Sequence, residues 1–160
     1  MLIKESQLNI ISLLAEHEKA IAELYETYAT KFQEHEKFWN SLSREESEHA
    51  RWLMDLTEKT KEGQVYFNEG RFATEAIKSS LADARRQINK AKEDLSLIGA
   101  LSTAYYFEVA LIEKKYFEVL EGDSVELKHT LIKLSDATKN HQERIKSFLD
   151  EERKKSGIPI

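Results

Sequence analysis

The sequence has no cysteine, a single proline at position 159 and only five glycines in 160 residues. Without cysteine there is no thiolate nucleophile, no disulfide, no iron–sulfur cluster and no rubredoxin-type or zinc-ribbon metal knot. With its one proline at the far end, the chain has almost nothing to interrupt a helix. No stretch approaches the ~18 uninterrupted apolar residues of a membrane span. The opening Met1-Leu-Ile-Lys-Glu5 lacks the basic end and apolar run of a secretory leader. Positive charge is not in excess either: 24 Lys and Arg face 29 Asp and Glu, a net charge of −5. A mildly acidic chain is a poor general ligand for nucleic acid or an anionic bilayer. These absences set the expectation of a cytoplasmic protein with neither nucleic acid nor membrane as partner. What is present is 41% apolar and 33% charged, a globular balance, and a length suited to one domain over 1–160.

Apolar residues recur by threes and fours. Residues 5–32 read as one long helix with the seam Ile11, Leu14, Ile21, Tyr25, Tyr28 and Phe32. After a polar connection at 33–36, a second helix runs to about residue 60, along Trp39, Leu42, Leu53 and Leu56. Gly63 and Gly70 bracket an irregular or weakly extended stretch, 64–68, in a long crossover. Residues 74–92 form a further amphipathic helix through Ile77, Leu81, Ala84 and Ile88, with Thr74 as its N-cap. Ser96 caps the next helix, which continues to about residue 120 and is apolar around most of its circumference, as a helix buried on several sides would be. The segment 121–124 is a turn, with Gly122 ending one helix and Asp123 or Ser124 capping the next. The last helix places Leu127, Leu131, Leu134, Ile145 and Phe148 in four-three spacing and frays after Lys154. The chain therefore reads as all-α: an antiparallel four-helix bundle of two hairpins, joined by a long crossover that contains an extra helix.

Polar residues interrupt these seams. Glu18 lies on the first seam, Glu46 and His49 on the second, and His141 on the last, with Thr138 one turn before it. A carboxylate desolvated in a bundle core costs several kcal/mol unless it is paired or bound to a cation. Removing Glu46 or His49 would relieve that cost in a metal-free protein. Glu46 and His49 stand at i and i+3, about 60° apart around the helix, so both project from one face. The two hairpins also align with each other, Glu46-Ser-Glu-His49 with Thr138-Lys-Asn-His141, and Glu18 with Glu108. Glu18 precedes His49 by 31 residues and Glu108 precedes His141 by 33, so each pair can meet at one height. Glu113 is the rival to Glu108, disfavoured because the turn at Gly122 is too close to bring His141 level with it. Tyr25 could hydrogen-bond a metal-binding carboxylate or simply pack. His17, His35 and His129 lie off the seams and read as surface residues. Glu23, Glu45, Glu48 and the charged run 143–155 read as solvated helix faces. Phe38 and Trp39 read as packing.

Phe32-Gln-Glu-His-Glu-Lys-Phe-Trp39, followed by Leu42-Ser-Arg-Glu-Glu-Ser-Glu-His-Ala50, resembles the helix-two signature of the rubrerythrin-like branch of the ferritin-like superfamily. The resemblance spans residues 5–150 and is tightest in the first hairpin. It implies a ferritin-like bundle with a di-iron carboxylate site, manganese being an alternative metal. The matching positions are Glu18, Glu46, His49, Glu108 and His141. At the sixth position stands Thr138, where the family has a bridging carboxylate, so two metals would face three carboxylates rather than four. The resemblance further implies an oxidoreductase acting on peroxide, dioxygen or ferrous iron. With no cysteine in the chain, its electron donor would be another protein. The competing expectation is a non-catalytic bundle with a vestigial or single-metal site, acting through self-association. The aromatics Tyr105, Tyr106, Phe107, Tyr116 and Phe117 would then contribute to a homodimer interface.

Overall fold

A computed structural model describes residues 2–62, 74–113 and 124–157, without the side chains of 2–4, 6 and 111–113. The expected irregular stretch at 64–68, the turn at Gly122 and Asp123, and Tyr116 and Phe117 lie outside the described residues, as does the side chain of Glu113. Five helices result: α1 (Leu2–Lys31), α2 (Glu36–Lys61), α3 (Thr74–Lys90), α4 (Leu97–Glu113) and α5 (Val125–Lys155). Among the described residues there is no strand. A one-turn 3-10 segment, Gln33–His35, makes the tight corner between α1 and α2.

The local chemistry of the helix ends matches the breaks. The Ser96 hydroxyl accepts from the Gly99 N–H at 3.0 Å, and the Ser124 hydroxyl accepts from the Leu127 N–H at 3.4 Å. At the other end of α5, Gly157 takes φ +71°, the left-handed conformation that closes a helix and that glycine adopts without a Cβ penalty.

Cross-helix contacts fix the direction of each element. Ser43 of α2 donates to the Ala22 carbonyl of α1, and Trp39 packs its ring on Tyr25 and Tyr28, so these two helices form an antiparallel hairpin. His17 meets Ser80, and the Lys31 ammonium reaches the Glu93 carbonyl, so α3 runs parallel to α1 and carries the chain back along the bundle. Tyr25 then meets Glu108 on α4. On α5, His141 meets Glu46, Arg144 meets Glu45 and Phe148 meets Phe38, an antiparallel pairing with α2. The expectation that the extra helix spans the long crossover agrees with this path.

Two apolar clusters make the core. One gathers Ile10, Ile11 and Leu14 of α1 with Leu53, Leu56, Ile77, Leu127, Leu131 and Leu134. The other gathers Leu24, Tyr25 and Tyr28 with Trp39, Leu42, Leu81, Leu101, Phe107, Ile145 and Leu149. The polar seam residues fall between them on each of three helices: Glu18 between Leu14 and Ile21, Glu46 and His49 between Leu42 and Leu53, Thr138 and His141 between Leu134 and Ile145. A polar layer is thus closed above and below by hydrocarbon.

Three expectations need correction. His17 is not a surface residue; it is 2% exposed, because α3 lies over that face of α1 and brings Ser80 Oγ to 2.8 Å from its Nε2. Phe148 does not continue the α5 seam. Leu149, four residues after Ile145, is the buried one, and half-buried Phe148 packs edge-on against Phe38. The helix expected to be apolar around most of its circumference and buried on several sides, α4, is buried less widely: Ala100, Leu101, Ala104 and Phe107 are inside, whereas Tyr106 is 58% exposed.

Candidate metal centre

Glu46 is the hub of the polar layer. Its Oε1 lies 2.8 Å from His141 Nδ1, and its Oε2 lies 3.1 Å from His49 Nδ1. One carboxylate thus joins the i+3 histidine of its own helix to a histidine 95 residues away on α5. The ligating atoms of Glu46, His49 and His141 all fall within 4.8 Å of one another, and all three side chains are buried. The two imidazole rings stack, with centroids 5.3 Å apart.

Glu108 reaches the same centre from α4, with Oε1 3.4 Å from His141 Nδ1 and accepting the Tyr25 phenol at 2.8 Å. Tyr25 therefore holds a carboxylate as well as packing in the core. Glu18 joins from α1 through a hydrogen bond to Glu46 that requires one of the two carboxyls to be protonated. Thr138 is buried on the same helix as His141, but its hydroxyl donates back to the Leu134 carbonyl at 2.8 Å. The five residues singled out in the sequence converge on one layer; Thr138 lines it without reaching across.

Packing three carboxyls into hydrocarbon splits their acidities. Burial, then the charge of Glu46, raises Glu18 well above the usual carboxylate range. Burial acts the same way on Glu46, but hydrogen bonds from His141, His49 and Glu18 outweigh it and hold Glu46 well below that range. Burial and the Glu46 charge lift Glu108 to about 7. For His141, burial favours the neutral ring, yet the hydrogen bonds and charges of Glu108 and Glu46 raise it to about 10. In the metal-free layer, the protonated ring of His141 supplies positive charge beside Glu46 and Glu108.

The donor set fits a divalent cation. Among the described residues, Glu18 Oε2 and Glu108 Oε2 are buried with no hydrogen-bond partner, two unsatisfied carboxylate oxygens at one layer of a folded core. Carboxylate oxygens with two imidazoles suit iron, manganese or zinc. A cation would replace protons at the same atoms, so its binding releases them.

Sequence periodicity did not reveal what surrounds this layer. Glu45, read as a solvated residue, is 42% exposed at its side chain yet receives Arg144 Nη1 on both oxygens, at 3.0 and 2.9 Å. Burial works to raise Glu45, but the hydrogen bond and charge of Arg144 prevail and lower it. Trp52 tilts over His49 with ring centroids 5.0 Å apart, and the Lys133 ammonium sits 4.0 Å from the Trp52 ring centre. Comparisons of the chain with protein-family models, with curated proteins and with solved structures give no match.

Proposed function

We propose that this chain is a metal-binding protein of ferritin-like, rubrerythrin-like type. Glu46, His49 and His141 hold an iron or manganese ion, and Glu18 and Glu108 complete the ligand set from α1 and α4. The observation that carries this reading is Glu46 accepting from two buried imidazoles on different helices, beside two further buried carboxyls with unsatisfied oxygens. A core built only for stability would fill that layer with hydrocarbon, since replacing buried ionic groups by apolar ones is commonly neutral or stabilising. The bound metal would supply redox chemistry toward peroxide, dioxygen or ferrous iron, with electrons from an external protein. The chain's own part is to fix the ligands, keep the layer dry between two apolar clusters, and hold a proton at Tyr25 Oη against Glu108. Burial and the charges of Glu108 and Glu46 raise that phenol well above its ordinary value.

Thr138 supports a second reading, a non-catalytic bundle with a single-metal or vestigial site that acts by self-association. Its hydroxyl is committed to its own helix, so position 138 supplies no fourth carboxylate to bridge two cations. Metal analysis of protein purified without chelator separates the two: close to two ions per chain favours the redox centre, close to one the single-metal site, and none the bundle alone. Thr138→Glu sharpens the test. It restores Glu-x-x-His on α5 and should raise bound iron or manganese toward two per chain, while lowering stability without metal by burying another carboxylate. A variant that is less stable and binds no more metal than the parent would leave only the self-associating bundle.

A further inference from the structure

His141 meets carboxylates on both edges of its ring. Its Nδ1 faces inward, 2.8 Å from Glu46 and 3.4 Å from Glu108. Its Nε2 faces the other way, buried and without a hydrogen bond, and Glu45 Oε1 lies 3.6 Å from it. That distance is beyond a hydrogen bond, but closing it to ~2.8 Å needs a movement of under ~1 Å. Glu45 is held by more than its own helix. Arg144 Nη1 donates to both of its oxygens, Ser41 Oγ donates to Oε2 at 3.2 Å, and Arg144 Nη2 donates to that same Ser41 hydroxyl at 3.0 Å. Arg144 Nη1 is also 3.1 Å from Asn140 Oδ1. A half-exposed carboxylate is thereby fixed beside the outer edge of the histidine by groups on α2 and α5.

We infer that Glu45 is a positioning residue for the metal centre: it takes the Nε2–H of His141 and so presents the bare Nδ1 to the ion, with Arg144 and Ser41 clamping Glu45 in place. The inference rests on the metal-binding reading and extends it to residues that ligate nothing. An imidazole that gives up the Nδ1 proton to a cation keeps its remaining proton on Nε2. Buried at that edge, the N–H needs an acceptor, because an unsatisfied one costs the full desolvation of the group. A carboxylate in that role fixes the tautomer and ring orientation and makes the ligating nitrogen more basic.

The test compares Glu45→Ala, Glu45→Gln and Arg144→Gln with the parent. Co2+ affinity is followed by visible absorption and by quenching of tryptophan fluorescence, and the Zn2+-loaded proteins are followed by nitrogen-edited NMR of the histidine ring. Glu45→Ala should weaken Co2+ binding about 10–100-fold and change the Co2+ spectrum. It should also turn a slowly exchanging His141 Nε2 proton into a fast one. Glu45→Gln keeps an uncharged acceptor and should lose less. Arg144→Gln releases the clamp but leaves the acceptor, and should fall between parent and Glu45→Ala. Circular dichroism of the metal-free variants verifies that they fold. Two results would overturn the inference while leaving the metal centre standing. One is Glu45→Ala binding Co2+ like the parent. The other is Arg144→Gln losing as much as Glu45→Ala with the Nε2 proton unchanged, which would make the pair a helix–helix tie only. A parent that takes up no Co2+ or Zn2+ would instead refute the metal-binding reading, and this inference with it.

Discussion

Glu46 accepts hydrogen bonds from His49, His141 and Glu18, so its removal does more than delete a buried charge. Burial cost alone predicts that a metal-free Glu46→Ala protein gains stability. The observed partners reverse the sign, because truncation strands His141, which is 0% exposed, and takes away the acceptor of Glu18. Breaking a buried pair from one side costs on the order of 3 kcal/mol. Urea unfolding of the metal-free variant should show that loss, together with weaker metal binding than Glu113→Ala retains. A more stable variant would mean that the three hydrogen bonds carry no net energy. The acidities give a second expectation for the metal-free protein. Glu108 stands at about 7 against an ordinary 4.5, and His141 at about 10 against 6.5; each holds its proton more tightly folded than unfolded. Their contributions are complete below the unfolded values and are lost as pH rises, through Glu108 between about 4.5 and 7 and through His141 between 6.5 and about 10. Glu46, held low, works in the opposite sense but only as pH falls into the acid range. Unfolding free energy should therefore drop between pH 5.5 and 8.5, on the order of 4 kcal/mol. Saturating Mn2+ should reverse the trend, because a cation binds best where those protons are gone. A metal-free protein more stable at pH 8.5 than at 5.5 would contradict the charge assignment.

At the scale of elements, α3 contributes nothing to the polar layer and acts as a cover. Ile77, Leu81, Ala84 and Ile88 are all buried, Leu81 within the cluster that holds Leu24, Tyr25 and Leu101. Leu81→Ala should cost about 2–5 kcal/mol and leave metal stoichiometry unchanged, because no ligand sits on that helix. Loss of metal along with stability would show that the cover also sets the position of α1. This helix also shows how far periodicity reaches. Its buried face was legible residue by residue, as were all six seam positions of α2 from Trp39 to Leu56, because a three-four spacing names the face of a helix that meets a core. What that face packs on is a separate matter. His17 read as solvent-facing since it lies off the α1 seam, and only the docking of α3 on a second face of α1 buries it. Phe148 and Leu149 are neighbours that a four-three count cannot rank near a helix end. Glu45 and Arg144 looked like ordinary surface charges; their pairing across 99 residues follows from the packing of α2 on α5, not from any local pattern. The ligand layer was legible for the opposite reason. Acidic and imidazole side chains on an apolar seam are costly, and the cost marks the position whatever the partner.

Over the whole molecule, the polar layer ties together four helices. Glu18 comes from α1, Glu46 and His49 from α2, Glu108 from α4 and His141 from α5, and hydrocarbon lies on either side of the layer. In the metal-free state those helices are held there by hydrogen bonds that depend on retained protons, that of His141 first among them. An ion that takes the place of the protons joins the same four helices with bonds that do not fluctuate with pH in the same way. Because it binds the folded chain only, its stabilisation is global, about 2.7 kcal/mol at a free concentration a hundredfold above Kd. Amide hydrogen exchange should resolve where that energy goes. Adding Mn2+ should slow exchange in the turns around Glu18, Glu46, Glu108 and His141 together, and should raise the melting temperature in a way that a chelator reverses. The exposed turns of α3 should change least, since that helix contributes no ligand and its exchange reports local opening. Protection confined to α2 and α5 would mean that Glu46, His49 and His141 hold the ion alone. Glu18 and Glu108 would then be buried carboxyls neutralised by protons, with no part in the ligand set.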